Sequence, residues 1–301
     1  MMPMPRRLSL SLALAALLVA GCGGGGGSTS VSSGGATNPR YAQTMTIVFN
    51  GTGLDQAVAV EVKGPCENLK RTTAAATSLQ YTCFVTGVGR ITPYLVDGDG
   101  VVLASVAVDV PLPQLRITVT DGTRTGSFTV ELDPVAAPRT ASQFISYVGS
   151  NFYVPTTDSS GNTTKVGTSF HRVNPAVGVL AGGFSANTST GAYSAMLPTQ
   201  GEMALEANLL KNLRGTLALY HEPGKPDSGN SMFFINTVDN PSFDRGSAET
   251  PEGFTVFGKV VDGMATVVDE IAKVPVRPDL SLGVADVPVT PVRITAITQT
   301  R

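Results

Sequence analysis

Short runs in which apolar and polar residues alternate dominate the chain between about residues 44 and 112. Alternation places every second side chain on the same face of a strand, so each run predicts a half-buried β-strand. Clusters rich in Gly, Asn and Asp separate the runs, for example NGTG at 50–53 and DGDG at 97–100, and such residues tolerate the positive φ of tight turns. The pattern predicts a small β-sandwich over residues 44–112.

From about residue 115 the pattern changes to short β-like segments and two helices. The first predicted helix covers 137–148, with Pro138 in the first turn, where its missing N–H is not needed, and apolar residues on one face. The second covers 263–273, where apolar residues recur at helical spacing. This order is compatible with a closed β-barrel capped by two helices, although periodicity alone does not decide it.

The first residues of the chain differ from the rest. Arg6 and Arg7 precede an apolar run at 8–20 that is shorter than the about 20 residues needed to span a bilayer, which predicts a signal peptide over residues 1–21. The run ends in Val-Ala-Gly followed by Cys22, which resembles the lipobox of bacterial lipoproteins. The alternative is an ordinary signal peptide with a chance cysteine.

The lipobox resemblance implies a lipid on Cys22, a membrane anchor through that lipid, and a location in the bacterial cell envelope facing the periplasm. Residues 22–43 are rich in Gly and Ser and are predicted to form a flexible tether, since the phosphate-binding alternative would need a Lys and a strand–helix context. With Cys22 lipidated, Cys66 and Cys83 remain. Outside the cytoplasm we expect them to form a disulfide, the alternative being two separately buried thiols.

Composition and charge exclude several classes of function. The chain of 301 residues has a formal net charge of −2 and no dense basic stripe, which argues against nucleic-acid binding. Two His and three Cys, without C-x-x-C or H-E-x-x-H, argue against a metal site. A hydrolase is disfavoured because G-x-S-x-G is absent and His221 has the sequence context of a loop residue rather than a catalytic base.

Ordered motifs connect residues 115–301 to a known family. They are VEL at 130–132, APRT at 137–140, FHRV at 170–173, GGF at 182–184, EAN at 206–208, RGTLA at 214–218, SMFFIN at 231–236 and VFGKV at 256–260. In this order they resemble the cyclophilins, and most of all those of the bacterial periplasm. The resemblance implies an eight-stranded β-barrel with two capping helices over residues 115–301, which follows a β-sandwich whose runs and turns are typical of the immunoglobulin-like type.

The resemblance also implies peptidyl-prolyl cis-trans isomerase activity that needs no cofactor and no metal. Arg172 matches the family's catalytic arginine, and its planar, permanently charged guanidinium suits the stabilisation of a twisted amide. His171 is assigned to the substrate site, in a positioning role because no proton transfer is required. The implied partners are proline-containing segments of exported polypeptides, and we expect a monomer.

An apolar pocket for the proline ring is predicted from three aromatic residues. Phe234 matches the floor of the family's pocket, and Phe243 and Phe254 fall at or beside its walls. Two positions depart from the family pattern: counting back from GGF, Ala181 replaces a substrate-binding Gln, and Met232 replaces a second Gln.

We expect these departures to leave Arg172 without its orienting partners and to weaken catalysis. The alternative function is a catalytically weak, cyclophilin-like module that binds peptides or proteins in a chaperone-like role. An insertion at 155–165, rich in Asp, Ser, Thr, Gly and Asn, is expected to be a mobile surface loop.

Overall fold

The computed structural model describes residues 29–301 except Ala57, Thr188 and Ser281, so the predicted signal peptide and Cys22 lie outside the described residues. The chain divides into two compact units between Pro111 and Leu112. In the part that the structure describes, no helix combines the length and the apolar character needed to cross a membrane.

The first unit consists of strands arranged in two antiparallel sheets. They are β1 (Ser30–Thr37), β2 (Thr44–Thr52), β3 (Ala59–Lys63), β4 (Cys66–Ala75), β5 (Ser78–Val85), β6 (Gly89–Val96), β7 (Val102–Ser105) and β8 (Val108–Val110). One sheet has the order β1-β2-β5-β4 and the other β3-β6-β7, with β8 also paired to β6. With β7 and β8 counted as one interrupted strand, these are the ABED and CFG sheets of constant-type immunoglobulin domains, so the predicted sandwich is confirmed.

Strand β1 corrects the predicted tether. Its sequence, SVSSGGAT, pairs with β2 from Ser30 opposite Thr52 to Thr37 opposite Thr46, so these residues belong to the sandwich. Gly34 allows the close approach, because a Cβ there would lie 2.7 Å from a methyl of Val106 in the other sheet. Small polar residues carry little strand signal, and the backbone ladder determines their structure here.

The predicted cysteine pair is confirmed. Cys66 and Cys83 form a disulfide with Cα atoms 5.7 Å apart, which excludes two separate thiols. The bond joins neighbouring strands of one sheet at the start of β4, an edge strand whose other residues are exposed. It therefore fixes an edge strand within one sheet. The disulfide of antibody domains differs, because it connects the two sheets.

The second unit contains the remaining strands and both helices. In chain order the strands are β9 (Gln114–Thr120), β10 (Thr125–Leu132), β11 (Thr156–Thr157), β12 (Thr163–Lys165), β13 (Ser169–Phe170), β14 (Arg172–Asn174), β15 (Gly178–Ala181), β16 (Phe184–Ala186), β17 (Tyr193–Ala195), β18 (Thr216–Leu219), β19 (Phe233–Asn236), β20 (Val256–Asp262), β21 (Val276–Asp279), β22 (Val284–Pro288) and β23 (Val292–Gln299). Helix α1 covers Pro138–Gly149, and a π-helical turn, Met264–Val268, leads into α2, Asp269–Ala272.

Nine of these strands form one sheet that curls into a barrel. Their order is β13-β23-β9-β10-β20-β18-β19-β15-β14. The two end strands are separated only by His171, whose N–H donates to the carbonyl of Leu180 at 3.0 Å. The ends of the sheet are therefore two parts of one interrupted strand, which confirms an eight-stranded barrel with two helices.

Helix α1 has a buried carboxylate at its first turn. Ala137 offers no side-chain cap, and Glu206 from a distant loop takes that role. Its carboxylate accepts hydrogen bonds from the N–H groups of Arg139 and Thr140, at 3.0 and 2.8 Å, and from the Thr140 hydroxyl at 2.8 Å. A negative charge at a helix N-terminus is favourable, so Glu206 fixes the helix against the barrel.

The insertion at 155–165 forms a small exposed hairpin of β11 and β12 instead of an irregular loop. Thr156 and Thr164 share a side-chain hydrogen bond of 2.9 Å. Lys165 donates to the carbonyls of Asn151 and Phe152. These contacts hold the hairpin to the end of α1. The segment lies at the surface as expected, and its mobility stays a prediction.

Candidate functional site

A row of side chains crosses the outer face of the barrel. Arg172 lies opposite Leu180, Leu180 opposite Phe234, Phe234 opposite Ala218, and Ala218 opposite Val256. Directly paired residues of antiparallel strands point to the same face and lie about 5 Å apart. Arg172 and Phe234 therefore lie on the same face of the sheet. They are two strands apart, which is about 10 Å measured across the strands.

The aromatic residues assigned to one pocket do lie together. The ring centroid of Phe234 is 5.6 Å from that of Phe243 and 5.2 Å from that of Phe254, and the latter two rings are 5.3 Å apart. All three pairs meet edge to face, an arrangement favoured by the ring quadrupoles. This apolar cluster on the outer face is separate from the barrel core and includes Leu180 and Tyr220.

Two loops hold the aromatic cluster in place. Phe243 ends a short 3₁₀ turn, Pro241–Phe243, and its carbonyl accepts the N–H of Phe254 at 3.0 Å. The His221 ring stacks on Phe254 with ring centroids 4.4 Å apart; it lies in a loop, as expected, and is buried there at 1% exposure. The Tyr220 ring also stacks on Phe254, with ring centroids 6.3 Å apart, and the sequence motifs did not single it out.

Arg172 has an orienting partner that the sequence analysis missed. Its Nε donates to Oδ1 of Asp286 at 3.0 Å, and Asp286 lies on β22, 114 residues along the chain. The carboxylate side chain is 16% exposed, whereas the arginine side chain is 55% exposed. The expectation from the sequence concerned the two missing Gln side chains, and Asp286 is a different partner that it did not include.

The structure also corrects the position predicted for Ala181. This residue is fully buried in the barrel core and pairs with Phe233, so it cannot border a substrate on the outer face. The residue opposite Arg172 is Leu180. Counting back from the glycine pair placed the position one residue too late, and a shift of one residue moves a side chain to the other face of the sheet.

Met232 lies at the edge of the same region. Its side chain is half-buried against Gly183, where an added Cβ would be 2.5 Å from the Met232 sulfur. Its carbonyl accepts the N–H of Tyr220 at 3.0 Å. The family resemblance implies a Gln side-chain amide at this position, and Met232 has none. Leu180, opposite Arg172, has no side-chain amide either.

His171 is enclosed rather than exposed at the site. It is 2% exposed, and its ring centroid lies 4.6 Å from that of Phe184. Burial lowers the pKa of His171 to about 4, and the nearby charge of Arg172 acts in the same direction. The imidazole is neutral at physiological pH, and its assignment as a substrate contact is wrong; a positioning role stays a prediction.

The second unit is similar to known proteins in sequence and in structure. The family profile for "Cyclophilin type peptidyl-prolyl cis-trans isomerase/CLD" matches residues 115–299, all in the second unit. A peptidyl-prolyl cis-trans isomerase of Acinetobacter baylyi is 38% identical over 176 residues, covering 58% of this chain and 81% of its own. The isomerase cyp18 of Streptomyces antibioticus is 35% identical over 179 residues, covering 59% and 95%. A crystal structure of a cyclophilin type isomerase from Cryptosporidium parvum aligns with a TM-score of 0.46 and 20% identity, covering 64% and 99%.

Proposed function

Because this chain belongs to the cyclophilin-type peptidyl-prolyl cis-trans isomerases and is such an enzyme, we propose that it acts through Arg172 and the cluster of Phe234, Phe243 and Phe254. The observation that carries this proposal is the row across the barrel, which places the guanidinium and Phe234 on one face. A proline ring seated on the cluster lies beside the cation.

The chemistry requires electrostatic stabilisation and no covalent step. Rotation about a prolyl amide is opposed by resonance, with a barrier of about 20 kcal/mol. As the bond twists, the nitrogen recovers a lone pair that can accept a hydrogen bond from Arg172. This contact is stronger in the twisted state than in either planar isomer, which is the condition for rate acceleration.

The guanidinium of Arg172 has groups free for this role. Its Nε donates to Asp286, and among the described residues its two Nη groups have no hydrogen-bond acceptor. Arginine stays protonated throughout the physiological range, so the donor is always present. The Nη groups are therefore the proposed donors to the prolyl nitrogen.

The aromatic cluster supplies binding energy for the ring. Burial of about three methylenes of proline against Phe234 and its neighbours contributes about 2 kcal/mol at about 0.8 kcal/mol each. The edges of Phe243 and Phe254 are half-buried and complete an apolar wall. The cluster holds the proline ring while the peptide preceding it rotates.

One observation favours a second function, a binding module with weak catalysis. Leu180 and Met232 offer no side-chain amide to a bound peptide, and each missing hydrogen bond is worth about 1 kcal/mol. A site that binds proline but orients the peptide poorly would bind extended chains and isomerise their prolyl bonds only slowly.

Exchange NMR with a prolyl peptide separates the two functions. We expect a substoichiometric amount of the protein to produce cis-trans exchange cross-peaks within a mixing time of about a second, whereas uncatalysed exchange takes tens of seconds. Shifted peptide resonances without exchange cross-peaks would contradict catalysis at this site and support the binding module.

We also propose that the enzyme is anchored by a lipid on Cys22 and acts on proline-containing segments of exported polypeptides. The Cys66–Cys83 disulfide supports an oxidising compartment, where such bonds persist. In bacterial cells, Cys22→Ser is expected to move the protein from the membrane fraction to the soluble fraction. Unchanged membrane association of the variant would argue against the lipid anchor.

A further inference from the structure

The contact between Arg172 and Asp286 carries a consequence for catalysis. We propose that Asp286 is a positioning residue, whose carboxylate fixes the guanidinium through Nε so that the two Nη groups face the prolyl amide. This inference rests on the proposed role of Arg172. Asp286 would be a second residue that contributes to catalysis, and it lies outside the barrel strands on which Arg172 and Phe234 lie.

The exposures of the two side chains fit this division of roles. The Asp286 side chain is 16% exposed and that of Arg172 55%, so the anion is held in the protein while the cation is open to a ligand. The guanidinium is planar, and a hydrogen bond at Nε together with the side-chain stem restricts the orientation of that plane. An oriented donor loses less entropy when the transition state forms.

Asp286 lies on a hairpin with its own small core. Strands β21 and β22 form the hairpin, and Val287, next to Asp286, is fully buried. Val287 packs with Ala186 and Tyr193 of the neighbouring hairpin, β16–β17. The two hairpins together form a platform on which the carboxylate is fixed.

Three further contacts connect the two hairpins of the platform with each other and with the strand of Arg172. Arg277 of β21 donates to the carbonyl of Gly191 at 3.2 Å. The Tyr193 hydroxyl lies 3.4 Å from the carbonyl oxygen of Phe170 and 3.5 Å from that of Pro288. Because Phe170 precedes His171 and Arg172, this hydroxyl lies between the arginine strand and the end of β22.

The residues around Arg172 explain why such a partner is needed. The side chain of Leu180, directly opposite in the ladder, has no atom that can accept a hydrogen bond. Met232 packs against Gly183 and offers only a thioether. The carboxylate of Asp286 therefore takes over an orienting task that the apolar Leu180 cannot perform.

The competing interpretation is an ordinary surface ion pair. Such pairs contribute little to stability, and removing this one would then leave turnover unchanged. The matched control is Asp279 on β21, the same hairpin, which is 3.8 Å from Arg277 with a 12% exposed side chain. Asp279→Ala tests the hairpin without touching Arg172.

The experiment combines ¹⁵N NMR of the Arg172 Nε–H with kcat and Kd for a prolyl peptide from exchange NMR. In Asp286→Ala we expect loss of the protected Nε–H signal, about a tenfold lower kcat and an unchanged Kd, since the aromatic cluster is intact. Asp286→Asn, which keeps an acceptor oxygen, is expected to be intermediate. Asp279→Ala is expected to match the wild type in all three measurements.

Three outcomes would overturn the inference. The first is a wild-type kcat in Asp286→Ala, with Arg172→Ala defective, which leaves the proposed function standing. The second is an equal loss of kcat in Asp279→Ala, which would assign the effect to the hairpin. The third is a wild-type kcat in Arg172→Ala, which would overturn the proposed function and, with it, any role for Asp286 in catalysis.

Discussion

Replacing Arg172 with alanine is expected to lower kcat/KM for prolyl peptides about a hundredfold in a protease-coupled assay, a loss of about 2.7 kcal/mol of transition-state stabilisation. The physical reason is that the variant keeps the apolar cluster but removes the donor that interacts with the twisted amide. Peptide affinity is expected to change little, because the proline ring contacts Phe234 and its neighbours.

Another exposed arginine of the same barrel provides the control. The side chain of Arg124 is 72% exposed and pairs with Asp121 at 3.3 Å, away from the row of Arg172. Arg124→Ala is expected to retain wild-type kcat/KM. If Arg172→Ala and Arg124→Ala had the same kcat/KM, Arg172 would have no part in the reaction.

Replacing Glu206 with alanine is expected to lower the free energy of unfolding by about 2 to 3 kcal/mol, because the loss of its carboxylate leaves buried hydrogen-bond donors without an acceptor. The residue is 8% exposed, and Thr140, whose N–H and hydroxyl it binds, is 1% exposed. The variant leaves these donors and the N–H of Arg139 without their acceptor. Denaturant unfolding, followed by a signal from the barrel, measures the effect.

A second glutamate distinguishes this effect from a general loss of charge. Glu270 on α2 has a 52% exposed side chain and pairs with Lys273 at the surface. Glu270→Ala is expected to change the free energy of unfolding by less than about 0.5 kcal/mol. A loss below about 1 kcal/mol in Glu206→Ala would contradict a structural role for the buried carboxylate.

Much of the fold and the aromatic cluster could be predicted from the sequence, for identifiable reasons. Ordered motifs with family spacing place Phe234, Phe243 and Phe254 in one pocket, and the structure brings their rings within 6 Å of one another. The alternating runs of the first unit indicate a sandwich because half-buried strands need that pattern. The sequence pattern was sufficient to predict structure wherever burial determines which residue type occupies a position.

The parts that were not predicted depend on contacts between distant segments. Strand β1 consists mostly of Ser, Gly and other small residues, which pair through backbone atoms and carry no regular apolar alternation. Leu180, and not Ala181, lies opposite Arg172. This depends on the register between β14 and β15, which a count along one strand cannot determine. Asp286 reaches Arg172 across 114 residues, and no motif connects their positions.

A crystal structure with a bound prolyl peptide measures directly the distance from the Arg172 guanidinium to the prolyl nitrogen. We expect the proline ring to lie against Phe234, with an Nη group within about 3.5 Å of the prolyl nitrogen or its amide. A peptide bound elsewhere on the barrel, or a proline seated on Phe234 with Arg172 beyond hydrogen-bonding distance, would contradict it.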